Sequence, residues 1–146
     1  MSSDTGGPVT HNRQFQQGMW KLNLARSKYS PAPAPKSATT KIEAAGAGTK
    51  VTVDQAMADG TMRHYEFTTN YDGKDSPVVG NNPDADMIAR TRTNANTVHS
   101  INKKAGKVTT TQDSVVSNDG KTRTVTSKGM NAAGQQVNNV TVFEKQ

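Results

Sequence analysis

The chain has 146 residues, 18 Lys+Arg against 12 Asp+Glu for a formal net charge of +6, and no cysteine. That length suits one domain with a core of its own, and the cysteine count excludes disulfides, zinc–thiolate centres and thiol nucleophiles. Hydrophobic residues are 32% of the chain and mean hydropathy is −0.78. This is too polar for a helical bundle but adequate for a thin sheet protein, where threonine packs its branched Cβ on the pleat.

Residues 1–17 contain no apolar stretch and read as a disordered tail, neither signal peptide nor membrane anchor. His11 and Arg13 fall in it. The folded domain is expected over residues 18–146. Its first strand, residues 18–24, alternates: Trp20, Leu22 and Leu24 share one face while Met19, Lys21 and Asn23 take the other. Trp20 is the only tryptophan, and one indole can cover a broad apolar opening, so it is read as the floor of a barrel. Pro31, Pro33 and Pro35 then hold φ near −65° and withdraw amide donors. That segment is extended, lies outside the sheet, and serves as a stiff crossover or a lid over one end.

From there turn signals recur about one strand apart. They fall at Gly46-Ala47-Gly48, Asp59-Gly60, Asp72-Gly73-Lys74, Asn94-Ala95-Asn96, Ala105-Gly106-Lys107, Asp119-Gly120-Lys121 and Ala132-Ala133-Gly134. Asp-Gly between strand-like runs marks a hairpin because its turn requires positive φ. The runs between them, 36–45, 50–58, 61–71, 86–93, 97–104, 107–117, 121–128 and 136–145, show no helical period. Residues 75–83 break the rhythm as a loop framed by Pro77, Gly80 and Pro83, with Val78-Val79 packing back as a short extra strand. A row of sequential hairpins closes most readily into an all-β, up-and-down antiparallel barrel, here of eight to ten strands. An open sheet would leave two long edges.

Several stretches carry a resemblance. Gly18-Met19-Trp20-Lys21-Leu22-Asn23, Ser27-Lys28-Tyr29-Ser30-Pro31, Tyr71-Asp72-Gly73-Lys74-Asp75, Gly80-Asn81-Asn82-Pro83-Asp84-Ala85-Asp86 and residues 137–145 resemble small bacterial lipocalin-like proteins. The likeness runs from about Phe15 to the C-terminus. It implies a calycin-type β-barrel and, since many such proteins are exported, a secreted or periplasmic location. In lipocalins proper an arginine of a late strand packs over the tryptophan, and only Arg123 could take that place here. The resembling proteins also tend to keep a basic residue at the position of Arg92 and an apolar one at that of Arg90, which implies that Arg92 is the more inward of the two.

The chemistry is sparse. No nucleophile elbow is present, and His11, His64 and His99 lack the spacing of metal ligands. No cofactor is expected. His64 and Glu66 share a strand face, either as an acid–base pair or as two solvated residues opposite Tyr65, Phe67 and Tyr71. Asn139-Val140-Thr141 matches a glycosylation acceptor but falls inside a strand. Basic residues are scattered and aromatics are only 5%, which argues against a base-stacking surface and a nucleic-acid partner. What remains is a barrel cavity. Its expected ligand-binding residues are Trp20, Tyr65, Phe67, Tyr71, Ile88, Arg90 and Arg92. If Ile88 points inward, period two sends both guanidiniums the same way, where an anionic amphiphile would pair them; if Met87, Ala89 and Thr91 face inward instead, both arginines are solvated. The expected function is binding or carriage of a small hydrophobic or anionic amphipathic molecule by a monomer or weak oligomer without a transmembrane segment. An enzyme of cyclase, isomerase or hydrolase type using the cavity, and an envelope-associated structural barrel filled by its own side chains, are the alternatives.

Overall fold

The computed structural model describes residues 16–146. Eleven strands follow in chain order: β1 (Gly18–Leu22), β2 (Ser37–Ala45), β3 (Gly48–Ala56), β4 (Met62–Thr69), β5 (Asp72–Pro77), β6 (Val79–Gly80), β7 (Met87–Asn94), β8 (Thr97–Lys104), β9 (Lys107–Val116), β10 (Thr122–Met130) and β11 (Gln136–Lys145). One 3₁₀ turn, Leu24–Arg26, follows β1, and the described residues contain no α-helix. All strands lie in one antiparallel sheet ordered β5-β7-β8-β9-β10-β11-β1-β2-β3-β4-β6. β1 joins the two halves, pairing β11 through Trp20 opposite Lys145 and β2 through Trp20 opposite Thr40. The sheet rolls into a nearly closed barrel. Its one seam, between β4 and β5, carries no ladder among the described residues, for β4 pairs only with β3 and the two-residue β6, and β5 only with β7.

The hairpin rhythm places the turns. Gly60, Gly106, Gly120 and Gly134 all sit at positive φ, where the absence of a Cβ removes the steric cost. The strand count exceeds the expected eight to ten because Asp72-Gly73-Lys74 is not a turn. Tyr71, at φ 58, makes the reversal, and Gly73 sits in a bulge whose register shifts between Asp72 and Asp75. The expected first strand also ends earlier, since Asn23 accepts the Arg26 N–H on its side chain and turns the chain into the 3₁₀ turn. Leu24 is therefore exposed rather than aligned with Trp20 and Leu22. Residues 1–15 of the expected tail lie outside the described residues. Gln16, placed in that tail by composition, is instead fully buried.

The two ends of the barrel differ. At the closed end meet the start of β1, the end of β11 and the turns after β2, β4, β7 and β9. At the open end meet the turns after β3, β8 and β10, the loop before β7, and the crossover from β1 to β2. That crossover is clipped to β11, with paired Lys28 and Val140 backbone bonds of 2.7 and 2.9 Å, and Ser30 N–H donates to Asn139 Oδ1 at 2.7 Å. It rejoins the sheet where Lys36 N–H donates to the Ala56 carbonyl at 2.7 Å.

Candidate ligand-binding cavity

Trp20 seals the closed end. It is completely buried, and its Nε1–H donates to the Gln16 carbonyl at 2.9 Å. The Arg123 guanidinium lies 5.7 Å from the indole centroid and 4.6 Å from that of Phe143, the placement over the tryptophan that the resemblance implied. Arg123 Nη1 donates to Ser114 Oγ at 3.3 Å, and Ser114 is held in turn by Gln16. A cation between two ring faces is attracted by their quadrupoles, so this arginine is both packing and charge.

Above this floor lies a cavity of about 170 Å³, opening into a basin of about 720 Å³ at the other end. The strand parity that buries Trp20 and Ile42 also directs Val51, Val53, Tyr65, Phe67 and Ile88 inward, so β2, β3, β4 and β7 form a largely apolar wall. The opposite wall, from β8 to β11, presents Ser100, Asn102, Gln112, Ser127, Asn139 and Thr141 beside Val125 and Phe143. These polar groups tie to one another: Asn102 donates to Thr110 Oγ1 at 2.9 Å and Gln112 to Ser127 Oγ at 3.1 Å. Tyr29, from the crossover, lines both the cavity and the basin, and Pro31, Pro33 and Pro35 line the rim.

Two cations enter this space. Arg90, only 5% exposed, donates from Nε to Ser100 Oγ at 3.0 Å and lies 5.8 Å from the centroids of Phe67 and Tyr71. Arg123, also 5% exposed, faces it from β10. No carboxylate lines the cavity among the described residues. Burial lowers the Arg90 pKa, an effect the Tyr71 and Tyr65 phenols oppose. Burial, and then repulsion from Arg90, pushes Arg123 down to about 9, which keeps it cationic at neutral pH. Burial pushes the Tyr65 and Tyr29 phenols up to about 12. Arg123 Nε and the Tyr71 hydroxyl are buried donors with no hydrogen-bond partner among the described residues.

The expected site residues thus separate. Tyr65, Phe67, Ile88 and Arg90 line the cavity. Trp20 lies beneath it, and Tyr71 flanks Arg90. The order of the two β7 arginines is reversed: Arg90 is the inward one, while Arg92, half-buried at the closed end of the strand, turns Nη2 to the Ala95 carbonyl at 2.6 Å. Both share the parity of Ile88, but Arg92 lies where the strand passes into its turn. His64 and Glu66 face solvent and look across the sheet, to Asp54 and to Lys50 at 3.3 Å, not toward one another. Asn139, read as part of a glycosylation acceptor, points inward. The polar wall and Tyr29 escaped the sequence reading, because an inward serine or glutamine has the composition of an outward one. The only signal was parity counted from Val98 on β8 and Val125 on β10.

No family model matches the chain, and neither does any curated protein. Among solved structures, the fold is similar to that of zebrafish ileal bile acid-binding protein complexed with cholic acid. The TM-score is 0.52 at 15% sequence identity, over 90% of this chain and 99% of that chain. The likeness identifies the architecture as a calycin-like β-barrel.

Proposed function

We propose that the protein binds and carries a small amphipathic anion within its barrel. The observation that supports this best is the pair of buried guanidiniums, Arg90 and Arg123, in a cavity whose described lining holds no carboxylate. A charge removed from water is costly unless paired, and a guanidinium fork fits an acidic group. The apolar wall of Val51, Val53, Phe67 and Ile88 accepts the hydrophobic part. That the similar solved structure holds cholic acid agrees with such an occupant. Carriage, not catalysis, is favoured because the two exposed His–Asp pairs, His64–Asp54 and His99–Asp113, lie on the outer surface. The kinship with small bacterial lipocalin-like proteins, a secreted or periplasmic location and a monomeric or weakly associating state belong to the same reading.

The test is displacement of a fluorescent fatty acid from wild type and from Arg90→Leu. Loss of the inward cation should weaken binding by about 2–5 kcal/mol, while Arg92→Leu should change it far less. An Arg90→Leu protein that binds like wild type, or a wild type that binds no anionic amphiphile, would overturn the proposal.

A further inference from the structure

Resting on that reading, we infer that the headgroup of the ligand carries two negative charges on one tetrahedral centre, chemically a phosphate monoester on an apolar tail. Both guanidiniums line the same cavity of about 170 Å³, and the hydrogen-bond partners found for them are neutral: Ser100 Oγ for Arg90 and Ser114 Oγ for Arg123. A single carboxylate would neutralise one cation and leave the other in a low-dielectric space with a like charge nearby. A dianion neutralises both.

The approach directions add to the charge count. Arg90 comes from β7 and Arg123 from β10, two strands intervening in the sheet order. The forks thus reach the cavity from separate parts of the wall. A carboxylate offers two oxygens in one plane, whereas a phosphate offers three around a tetrahedron and can meet forks from separate directions. Arg123, which lines the cavity, keeps a buried Nε donor with no hydrogen-bond partner among the described residues. With the headgroup held just above the Trp20 floor, the tail would run along Val51 and Val53 toward the open basin by Tyr29.

The full chain is titrated calorimetrically with dodecyl phosphate, dodecyl sulfate and dodecanoate below their micelle concentrations, and with inorganic phosphate. At pH 8 dodecyl phosphate should bind roughly tenfold or more tightly than the singly charged sulfate and carboxylate. The gap to dodecyl sulfate, which stays a monoanion throughout, should close at pH 5, below the second phosphate ionisation at about pH 6. Arg90→Gln should abolish the preference; if that variant does not fold, the pH comparison in wild type decides alone. Equal binding of the three amphiphiles would overturn the dianion while leaving the amphiphile reading intact. Binding of none of them would remove both. Inorganic phosphate binding as tightly as dodecyl phosphate would overturn the inference by making the tail irrelevant.

Discussion

At the closed end of the barrel the largest fully buried side chains gather: Trp20, Ile42, Gln16, Val98, Val116, Thr49 and Thr69. The open end is walled by a proline-bearing crossover, by Met57, Asp59 and Thr61 after β3, and by Asn131, Ala132 and Ala133 after β10, around an unfilled basin of about 720 Å³. Packing is therefore concentrated at one end and solvent access at the other. A barrel that packed both ends equally would leave no path to Arg90. One that packed neither would lack the dispersion contacts and apolar burial that offset its chain entropy.

The contrast is broken most severely at Trp20. Trp20→Ala should cost about 3–5 kcal/mol as a large-to-small core change, read from denaturant unfolding, and wild-type emission should be blue-shifted. Emission like that of free indole with little loss of stability would refute the floor. The open end has its own exacting position. At Gly129, at φ +134, an added Cβ would lie 2.2 Å from the Thr109 carbonyl oxygen and 2.8 Å from Thr110 Cα. Gly129→Ala should cost about 1–3 kcal/mol through backbone strain. A cost matching that of Trp20→Ala would show that β9–β10 pairing, more than floor packing, sets the stability.

Alkaline titration probes the middle of the barrel. Folded Tyr65 and Tyr29 ionise at about 12 because burial disfavours phenolate, whereas unfolded tyrosine ionises near about 10. Their contribution is complete below about pH 10 and is lost as pH climbs toward 12, because the unfolded chain releases those protons first. Unfolding free energy should fall over that window, and Tyr65→Phe should flatten the fall. An unchanged slope in that variant would place Tyr65 in contact with water.

The smallest effect compares one turn from each end. Asp59 takes the Thr61 N–H at 2.8 Å, and Asp119 the Lys121 N–H at 3.0 Å and the Ser117 hydroxyl. Side-chain and backbone hydrogen bonds lower both carboxyl pKa values below the usual range, led by Thr61 for Asp59 and Ser117 for Asp119. The stabilisation is present above the unfolded value of about 4 and vanishes as pH drops through the folded one. Asp59→Asn and Asp119→Asn should each reduce the acid dependence of unfolding slightly and alike, since both turns are solvated. Unequal effects would show that the ends differ in their turns as well as their cores.

Turn chemistry made most of the barrel legible, since positive φ at Gly60, Gly106, Gly120 and Gly134 leaves a mark in composition. It misled once, at Asp72-Gly73-Lys74, where the same residues build a bulge and the reversal falls on Tyr71. Parity located Arg90 through Ile88, but it assigns a face without saying how far along a strand the interior extends, so Arg92 came with it. Gln112 went unnoticed for a third reason. Alternation shows facing only where apolar residues contrast with polar ones, and on β9 Thr109, Thr110, Thr111, Gln112 and Asp113 offer no contrast.

A barrel closed by hydrogen bonds all around has a circumference fixed by strand number and shear. Here the hoop is cut once, where β4 and β5 lie side by side without a ladder. The cut is bridged where β6, running straight on from β5, pairs Val79 with Glu66 and Gly80 with Tyr65 of β4. The molecule is in that respect a collar with a clasp: the short β6 holds β4 while β5 holds β7, so the hoop is joined through the chain itself and not by a ladder along the seam.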